Sequence, residues 1–328
     1  MSTASRLRSL DFLSHFTDEQ ILLLSKLVSV DPFPAGTLVF RQGDKSRDAY
    51  VIDRGRLHIR RQTAYGAYKL AELEEGELFG ETSFVDGDSR SGDAVADVDS
   101  ELLIFKPERL DLQDQTIQVA LYWSFWRSLS KKLRETNEQL TRFFAKPGVK
   151  PTPAPLSPKE ATGEFQLDLQ AKRELFQEQK LSTMEINFLA SLSQERKLAP
   201  NQVLFQEGDV GDKMYVVLDG RVLISKQIPG AGEEALAFME RGDYFGEMAL
   251  IDNRPRSADA RAYDTGAVLL AIPRDVLEGI LDINLKMSSL RLLKILTNLI
   301  AKRLRELDEK LTTWYIFSGG ESSGAGGA

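Results

Sequence analysis

The chain repeats itself. Phe40-Arg41-Gln42-Gly43-Asp44 returns as Phe205-Gln206-Glu207-Gly208-Asp209, and Tyr50-Val51 with Gly55-Arg56 returns as Tyr215-Val216 with Gly220-Arg221, 165 residues later. Gly80-Glu81 and Arg90-Ser91 then match Gly246-Glu247 and Arg256-Ser257 at 166, so one residue of net insertion separates the copies over this span. The same signals in the same order require both halves to fold alike. A length of 328 residues fits about two ordinary domains, and 42% apolar residues give each half a core to bury.

Each copy reads as short strands punctuated by glycine turns: an apolar strand ending at Phe40 or Phe205, a Gly-Asp turn, a strand from Tyr50 or Tyr215, and a further turn at Gly55 or Gly220. The expected fold class is mainly β with α, two jelly-roll (double-stranded β-helix) barrels flanked by helices, each followed by a long C-terminal helix. In the first long helix Tyr122, Trp126, Leu129, Leu133, Thr136, Leu140 and Phe143 keep one stripe on one face. Leu293, Leu296, Ile300, Leu304, Leu307, Leu311 and Trp314 do the same in the second. Lys131-Lys132-Leu133-Arg134-Glu135 also lines up with Lys302-Arg303-Leu304-Arg305-Glu306. The prolines of 146–162 predict an extended, semi-rigid linker between a first domain at 1–145 and a second at 163–317. Residues 318–328 have almost nothing to bury and are expected to be disordered.

Charge and composition exclude several classes. A net charge of -7 repels polyanions at long range, so general nucleic-acid or acidic-membrane binding is disfavoured. The absence of cysteine removes disulfides, thiolate catalysis and thiolate metal sites. His15 falls in a helical pattern and His58 in a strand pattern, neither with a second ligand at fixed spacing, so no metal is expected. The N-terminus carries no signal-peptide pattern, and no uncharged apolar run approaches the ~20 residues of a membrane span, which points to a cytoplasmic chain.

The chemistry concentrates in 245–258. Gly246 lets backbone approach a ligand, and residues after Glu247 can form one helical turn whose free amides face an anion. Arg256 supplies a guanidinium fork suited to two phosphate oxygens, beside the amides and hydroxyl of Ser257. An ionised Glu247 only accepts hydrogen bonds, which suits a ribose hydroxyl rather than a phosphate. The plainer reading is a Glu247–Arg256 ion pair stabilising a surface loop. No nucleophile is paired with a base, so no enzymatic activity is expected.

The loop 245–258 resembles the phosphate-binding cassette of cyclic-nucleotide-binding domains, and 205–220 resembles the glycine-bearing strands before it. The resemblance covers both repeats, roughly 10–143 and 176–315. It implies that cAMP or cGMP is the ligand, with no further cofactor; that Glu247 holds the ribose 2′-hydroxyl; and that Arg256 pairs with the cyclic phosphate. Phe245, Gly246, Met248, Ala249, Ser257 and Ala258 would line the second site. Phe79, Gly80, Glu81, Thr82, Ser83, Arg90, Ser91 and Gly92 would form the first. There Thr82 and Ser83 replace Met248 and Ala249, Ser89 replaces Pro255 and Gly92 replaces Ala258. The added backbone freedom is expected to make the first site weaker.

Phe143, Phe144, Trp314 and Tyr315 have two readings: core or seam packing, and aromatic lids over a purine. Too few residues follow Phe317 for the helix-turn-helix of the catabolite-activator sensors, so DNA binding is disfavoured. The kinase-inhibiting linker of the regulatory subunits of cAMP-dependent kinase has no counterpart either. The expectation is a tandem sensor that transmits occupancy through its long helices to an unknown protein partner. Those helices are also candidate homodimer seams. The alternative is a ligand-free scaffold built from degenerate cyclic-nucleotide-binding folds.

Overall fold

The computed structural model describes residues 2–110, 115–145, 169–181, 183–281 and 289–317. The expected linker at 146–162 and tail at 318–328 lie outside the described residues.

The first repeat opens with α1 (Thr3–Arg8), a 3-10 turn (Asp11–Leu13) and α2 (Asp18–Leu24). Thr17 starts α2 with a reciprocal capping box, its hydroxyl accepting from the Gln20 amide while Gln20 accepts from the Thr17 amide. Strands β1 (Ser29–Phe33), β2 (Leu38–Phe40), β3 (Ala49–Arg54), β4 (Leu57–Thr63), β5 (Gly66–Leu73) and β6 (Leu78–Phe79) follow. A short helix α3 (Glu81–Asp86) precedes β7 (Asp93–Ala96) and β8 (Ser100–Phe105), then α4 (Pro107–Leu110) and the long α5 (Gln115–Phe144). The strands form two antiparallel four-stranded sheets, ordered β1-β8-β3-β6 and β2-β7-β4-β5.

The second repeat has α6 (Leu169–Glu178), α7 (Thr183–Leu192), β9 (Gln194–Leu198), β10 (Val203–Phe205), β11 (Lys213–Ile228), β12 (Gly232–Met239) and β13 (Tyr244–Phe245). It ends with α8 (Met248–Asp252), β14 (Asp259–Pro273), α9 (Arg274–Leu281) and α10 (Ser289–Phe317). Here the counterparts of β3 and β4 run on as one strand, β11, bent at bulges beside Asp219 and Gly220. Its neighbour β14 likewise replaces β7 and β8, and all six strands join one sheet.

Equivalent residues fill equivalent places. Phe40, Tyr50, Ile52, Leu57, Leu73 and Phe79 belong to one buried cluster of the first repeat. Phe205, Tyr215, Val217, Val222, Met239 and Phe245 do so in the second. The alternation of these positions along each strand sends them to one face, where burial stabilises each by about 1.5–3 kcal/mol. The helical stripes are also buried: Trp126, Leu129, Leu133 and Leu140 in α5, and Leu293, Leu296, Ile300, Leu304, Leu307 and Leu311 in α10. At the ends of the stripes Phe143 is half-buried and Trp314 is exposed.

Two compact units result: Met1–Lys132 with Ile300–Ala328, and Leu133–Leu299. The division falls inside both long helices rather than between 145 and 163. The last part of α10, which belongs in sequence to the second repeat, is built into the first unit, and α5 from Leu133 onward is built into the second.

Candidate functional site

In both repeats a two-residue strand leads into a glycine in the left-handed region. Val51 and Tyr50 pair with Leu78 and Phe79 in the first repeat, and Val216 and Tyr215 pair with Tyr244 and Phe245 in the second. Gly80 (φ 73°) and Gly246 (φ 76°) then turn the chain into α3 and α8. These two helices end on left-handed residues, Gly87 (φ 76°) and Asn253 (φ 53°). A Cβ on Gly80 or Gly246 would lie 2.7 or 2.8 Å from a terminal nitrogen of Arg90 or Arg256, so the turn needs glycine for space as well as conformation.

Arg90 and Arg256 are buried, at 2% and 5% exposure, against an aromatic floor. The Arg90 guanidinium sits 4.1 Å over the Phe40 ring, in a cluster where Tyr50 stacks on Phe79 at 5.2 Å. Arg256 sits 4.3 Å over Phe205, where Tyr215 stacks on Phe245 at 5.4 Å. Each backbone is fixed by the Gly-Asp turn: the Arg90 amide donates to the Asp44 carbonyl and its carbonyl accepts from Gly43, and Arg256 does the same with Asp209 and Gly208. That pairing is why the Gly-Asp signal and the arginine recur together.

The arginine heads first satisfy backbone. Arg90 donates to the carbonyls of Gly80 (2.8 Å) and Asp48 (2.6 Å), and Arg256 to those of Gly246 (2.5 Å) and Lys213 (2.7 Å). Arg90 Nε also donates to Ser46 Oγ at 3.1 Å. Gly211 stands at that position in the second repeat, and Arg256 Nε is a buried donor without a hydrogen-bond partner. Burial pulls both guanidinium pKa values below the ordinary arginine value, opposed by Tyr50, Asp48 and Glu81 around Arg90 and by Tyr215, Glu247 and Asp212 around Arg256.

Glu81 and Glu247 are also buried, at 1% and 2% exposure. Glu81 accepts from Lys132 of α5 at 2.5 Å, and the same ammonium reaches the Leu78 carbonyl at 2.7 Å. Arg90 pairs with neither carboxylate oxygen of Glu81, and Arg256 spends its bonds on carbonyls rather than on Glu247. The surface ion pair considered from sequence is therefore not what these residues form.

Second-repeat carbonyls are tied by Arg274, which donates to Leu250 (2.6 Å) and Ala249 (3.0 Å). In the first repeat Arg47 makes one bond to the Phe84 carbonyl at 3.2 Å. The other expected lining residues surround these turns. Ser83 is buried with its hydroxyl 3.4 Å from the Ser89 carbonyl, while Thr82 and Ser91 are half-buried. Met248, Ala249 and Ala258 are buried, and Ser257 Oγ lies 3.7 Å from Met248 Sδ. Gly92 is not in the left-handed region; a Cβ there would meet the Arg60 carbonyl at 2.7 Å, so it answers close packing rather than freedom.

Helix arginines reach the cassettes as well. In the first unit Arg305 of α10 grips Asp86 at 2.6 and 3.1 Å, and donates to Ser83 Oγ (3.1 Å) and the Ser89 carbonyl (2.9 Å). In the second unit Arg134 of α5 pairs with Asp252 at 2.9 Å and donates to the Pro255 carbonyl at 3.1 Å. Sequence reasoning aligned Arg134 with Arg305 but gave neither a partner; the recurrence of Asp86 as Asp252 was the usable signal. Of the aromatic lid candidates, Tyr315 stacks on Tyr68 of β5 at 4.6 Å. Trp314 meets Phe317, and Phe143 meets Phe144, edge to face.

His15 Nε2 lies 2.9 Å from the Ala120 carbonyl and His58 Nδ1 lies 2.7 Å from Asp97. Among the described residues, no group of three or more His, Asp or Glu side chains converges as a metal site. No helix among the described residues is long and apolar enough to cross a membrane.

The cyclic nucleotide-binding domain family model matches residues 30–112 and 195–284, just over half of the chain and both cassettes. The chain belongs to this family. The chain is 25% identical over 251 residues to a cAMP-dependent protein kinase regulatory subunit of Dictyostelium discoideum, covering 75% of this chain and 63% of that protein. Over 245 residues it is 22% identical to a cGMP-dependent protein kinase of Plasmodium berghei, covering 75% of this chain and 22% of that one. A cyclic AMP receptor protein of Thermus thermophilus is 33% identical over 131 residues, 40% of this chain and 58% of that protein. The chain thus spans less than two thirds of each of these relatives. As cyclic-nucleotide-binding domains, both repeats keep the glycine, glutamate and arginine of the cassette at matching places.

Proposed function

We propose that the chain is a cyclic-nucleotide sensor that takes one cAMP or cGMP in each cassette and passes occupancy through α5 and α10 to a partner protein. Glu81 and Glu247 hold the ribose 2′-hydroxyl. Arg90 and Arg256, with the amides following Gly80 and Gly246, hold the cyclic phosphate. The observation that carries this reading is the recurrence, in each repeat, of one buried carboxylate and one buried guanidinium at matching places beside a glycine in the left-handed region. A cyclic nucleotide offers each group a partner of matching chemistry, an anionic phosphate for the guanidinium and a hydroxylated ribose for the carboxylate. The role is binding and regulation rather than catalysis.

Among partner classes, a protein kinase domain is the one named by the relatives, one of which is a kinase regulatory subunit. Calorimetry of the full chain with cAMP and with cGMP tests the reading, with two sites per chain expected for the preferred nucleotide. Absence of binding by either at about 1 mM, which corresponds to about 4 kcal/mol, sinks it in favour of the scaffold alternative. Retention of a partner from extract that changes when nucleotide is added tests the output; retention indifferent to nucleotide contradicts it.

A further inference from the structure

The first unit contains a helix segment that its own repeat does not encode. Arg305 ties this segment to one rim of the candidate site, through the Asp86 carboxylate, the Ser83 hydroxyl and the Ser89 carbonyl of the cassette. Tyr315 ties it to the β-sheet, by stacking on Tyr68 of β5. Arg61 of β4 adds an ion pair to Glu309 at 3.4 Å. The ten residues from Arg305 to Tyr315 span about 15 Å at helical rise. Between those two anchors α10 carries Asp308, within the electrostatic reach of Arg61, Lys132, Arg305 and Glu81. In the second unit Arg134 makes the matching attachment to Asp252 and the Pro255 carbonyl, so the arginine anchor occurs twice.

We propose that each cassette is strapped by the long helix of the other repeat, with α10 closing the first site through Arg305 and Tyr315 and α5 gripping the second through Arg134. This rests on the sensor reading above. A strap tied to the cassette and to β5 governs how fast nucleotide enters and leaves the first cassette, and its last turn at Phe317 moves when that cassette, rather than its own, is filled.

Stopped-flow binding of fluorescent cAMP and cGMP analogues to the full chain tests the strap. Arg256→Ala isolates the first cassette and Arg90→Ala the second. In the Arg256→Ala background, Arg305→Ala and Tyr315→Ala are each expected to speed both association and dissociation about fivefold or more, with Arg305→Lys between. In the Arg90→Ala background, Arg305→Ala leaves both rates within about twofold, whereas Arg134→Ala speeds them. Unchanged first-cassette rates in a variant that still binds overturn the strap; should Arg305→Ala not fold, Tyr315→Ala and Arg305→Lys decide on the same criterion. The chain has no cysteine, so Phe317→Cys, at a position 77% exposed, carries a single dye as a second readout. A dye response retained with Arg256→Ala and lost with Arg90→Ala supports the proposal, and the reverse pattern overturns it. Failure of the parent chain to bind either analogue counts instead against the sensor reading itself.

Discussion

The two cassettes share a plan and differ in how tightly the plan holds its arginine. In the first, Ser46 accepts from Arg90 Nε, so all three nitrogens of that guanidinium have partners inside the protein. In the second, Gly211 replaces the serine and Arg256 keeps a buried donor in reserve. The glycine is forced by its neighbours: a Cβ at Gly211 would stand 2.6 Å from Ala249 Cβ and 2.7 Å from Arg256 Cζ. Ala249 and Gly211 are therefore one packing solution, and Ser83 and Ser46 the other. The lesson is that an identical Glu and Arg do not make identical sites, because the second layer decides what the arginine must give up to meet a phosphate.

The comparison breaks most visibly if the arginines are removed. Arg256→Ala is expected to cut affinity at the second cassette by about 100-fold, as loss of charge-assisted bonds to a buried phosphate implies, and to leave the first measurable by calorimetry. Equal loss at both sites would show that the cassettes are not independent. Next in size, Gly211→Ser should destabilise the second unit by about 1–3 kcal/mol through overpacking and weaken its site, read by thermal melting and calorimetry. A variant as stable as the parent would mean that Ala249 and Arg256 yield easily.

A smaller change sharpens the comparison in the opposite direction. Ser46→Gly frees Arg90 Nε, and the first cassette should bind about three- to tenfold tighter despite losing roughly 1 kcal/mol of stability. Unaltered or weaker binding would remove Ser46 as the source of the asymmetry. A separate prediction concerns Asp308 on the strap helix. Burial raises its carboxyl to about 7, with Arg61, Lys132 and Arg305 pulling it down and Glu81 pushing it up. An acid whose folded pKa lies above its unfolded value near 4 binds more protons when folded. Its contribution to stability therefore falls as pH rises from about 4 to 7, and stays low above that. Asp308→Asn should raise the melting temperature at pH 8 and have little effect at pH 4; a gain that is equal at both values would show that Asp308 is not the titrating group.

Much of this was legible in the chain. Repeated glycines and alternating apolar residues located the strands, because a turn that needs positive φ and a face that needs burial leave direct marks on residue type. The same holds for Gly246, Glu247 and Arg256 and their first-repeat counterparts, which recur at the same spacing in both repeats. The apolar stripes likewise became the buried faces of α5 and α10. What periodicity cannot say is which β domain receives the polar edge of each helix. Arg134 and Arg305 find Asp252 and Asp86 through tertiary placement, across more than a hundred residues. Ser46, Gly211 and the aromatic floor under each guanidinium were missed for a related reason: a serine or phenylalanine in a strand carries no signal until the residue above it is known. Gly92 was misread as added freedom, since composition does not distinguish a flexible glycine from one squeezed against a carbonyl.

The exchange of helix segments between the compact units also bears on how such a protein can be taken apart. A cut in the proline-rich stretch gives two fragments that look like domains by sequence, yet neither contains all of its own compact unit. The first loses the segment carrying Arg305 and Tyr315, and the second loses the one carrying Arg134. Neither half therefore carries, on its own stretch of sequence, every residue that its compact unit uses.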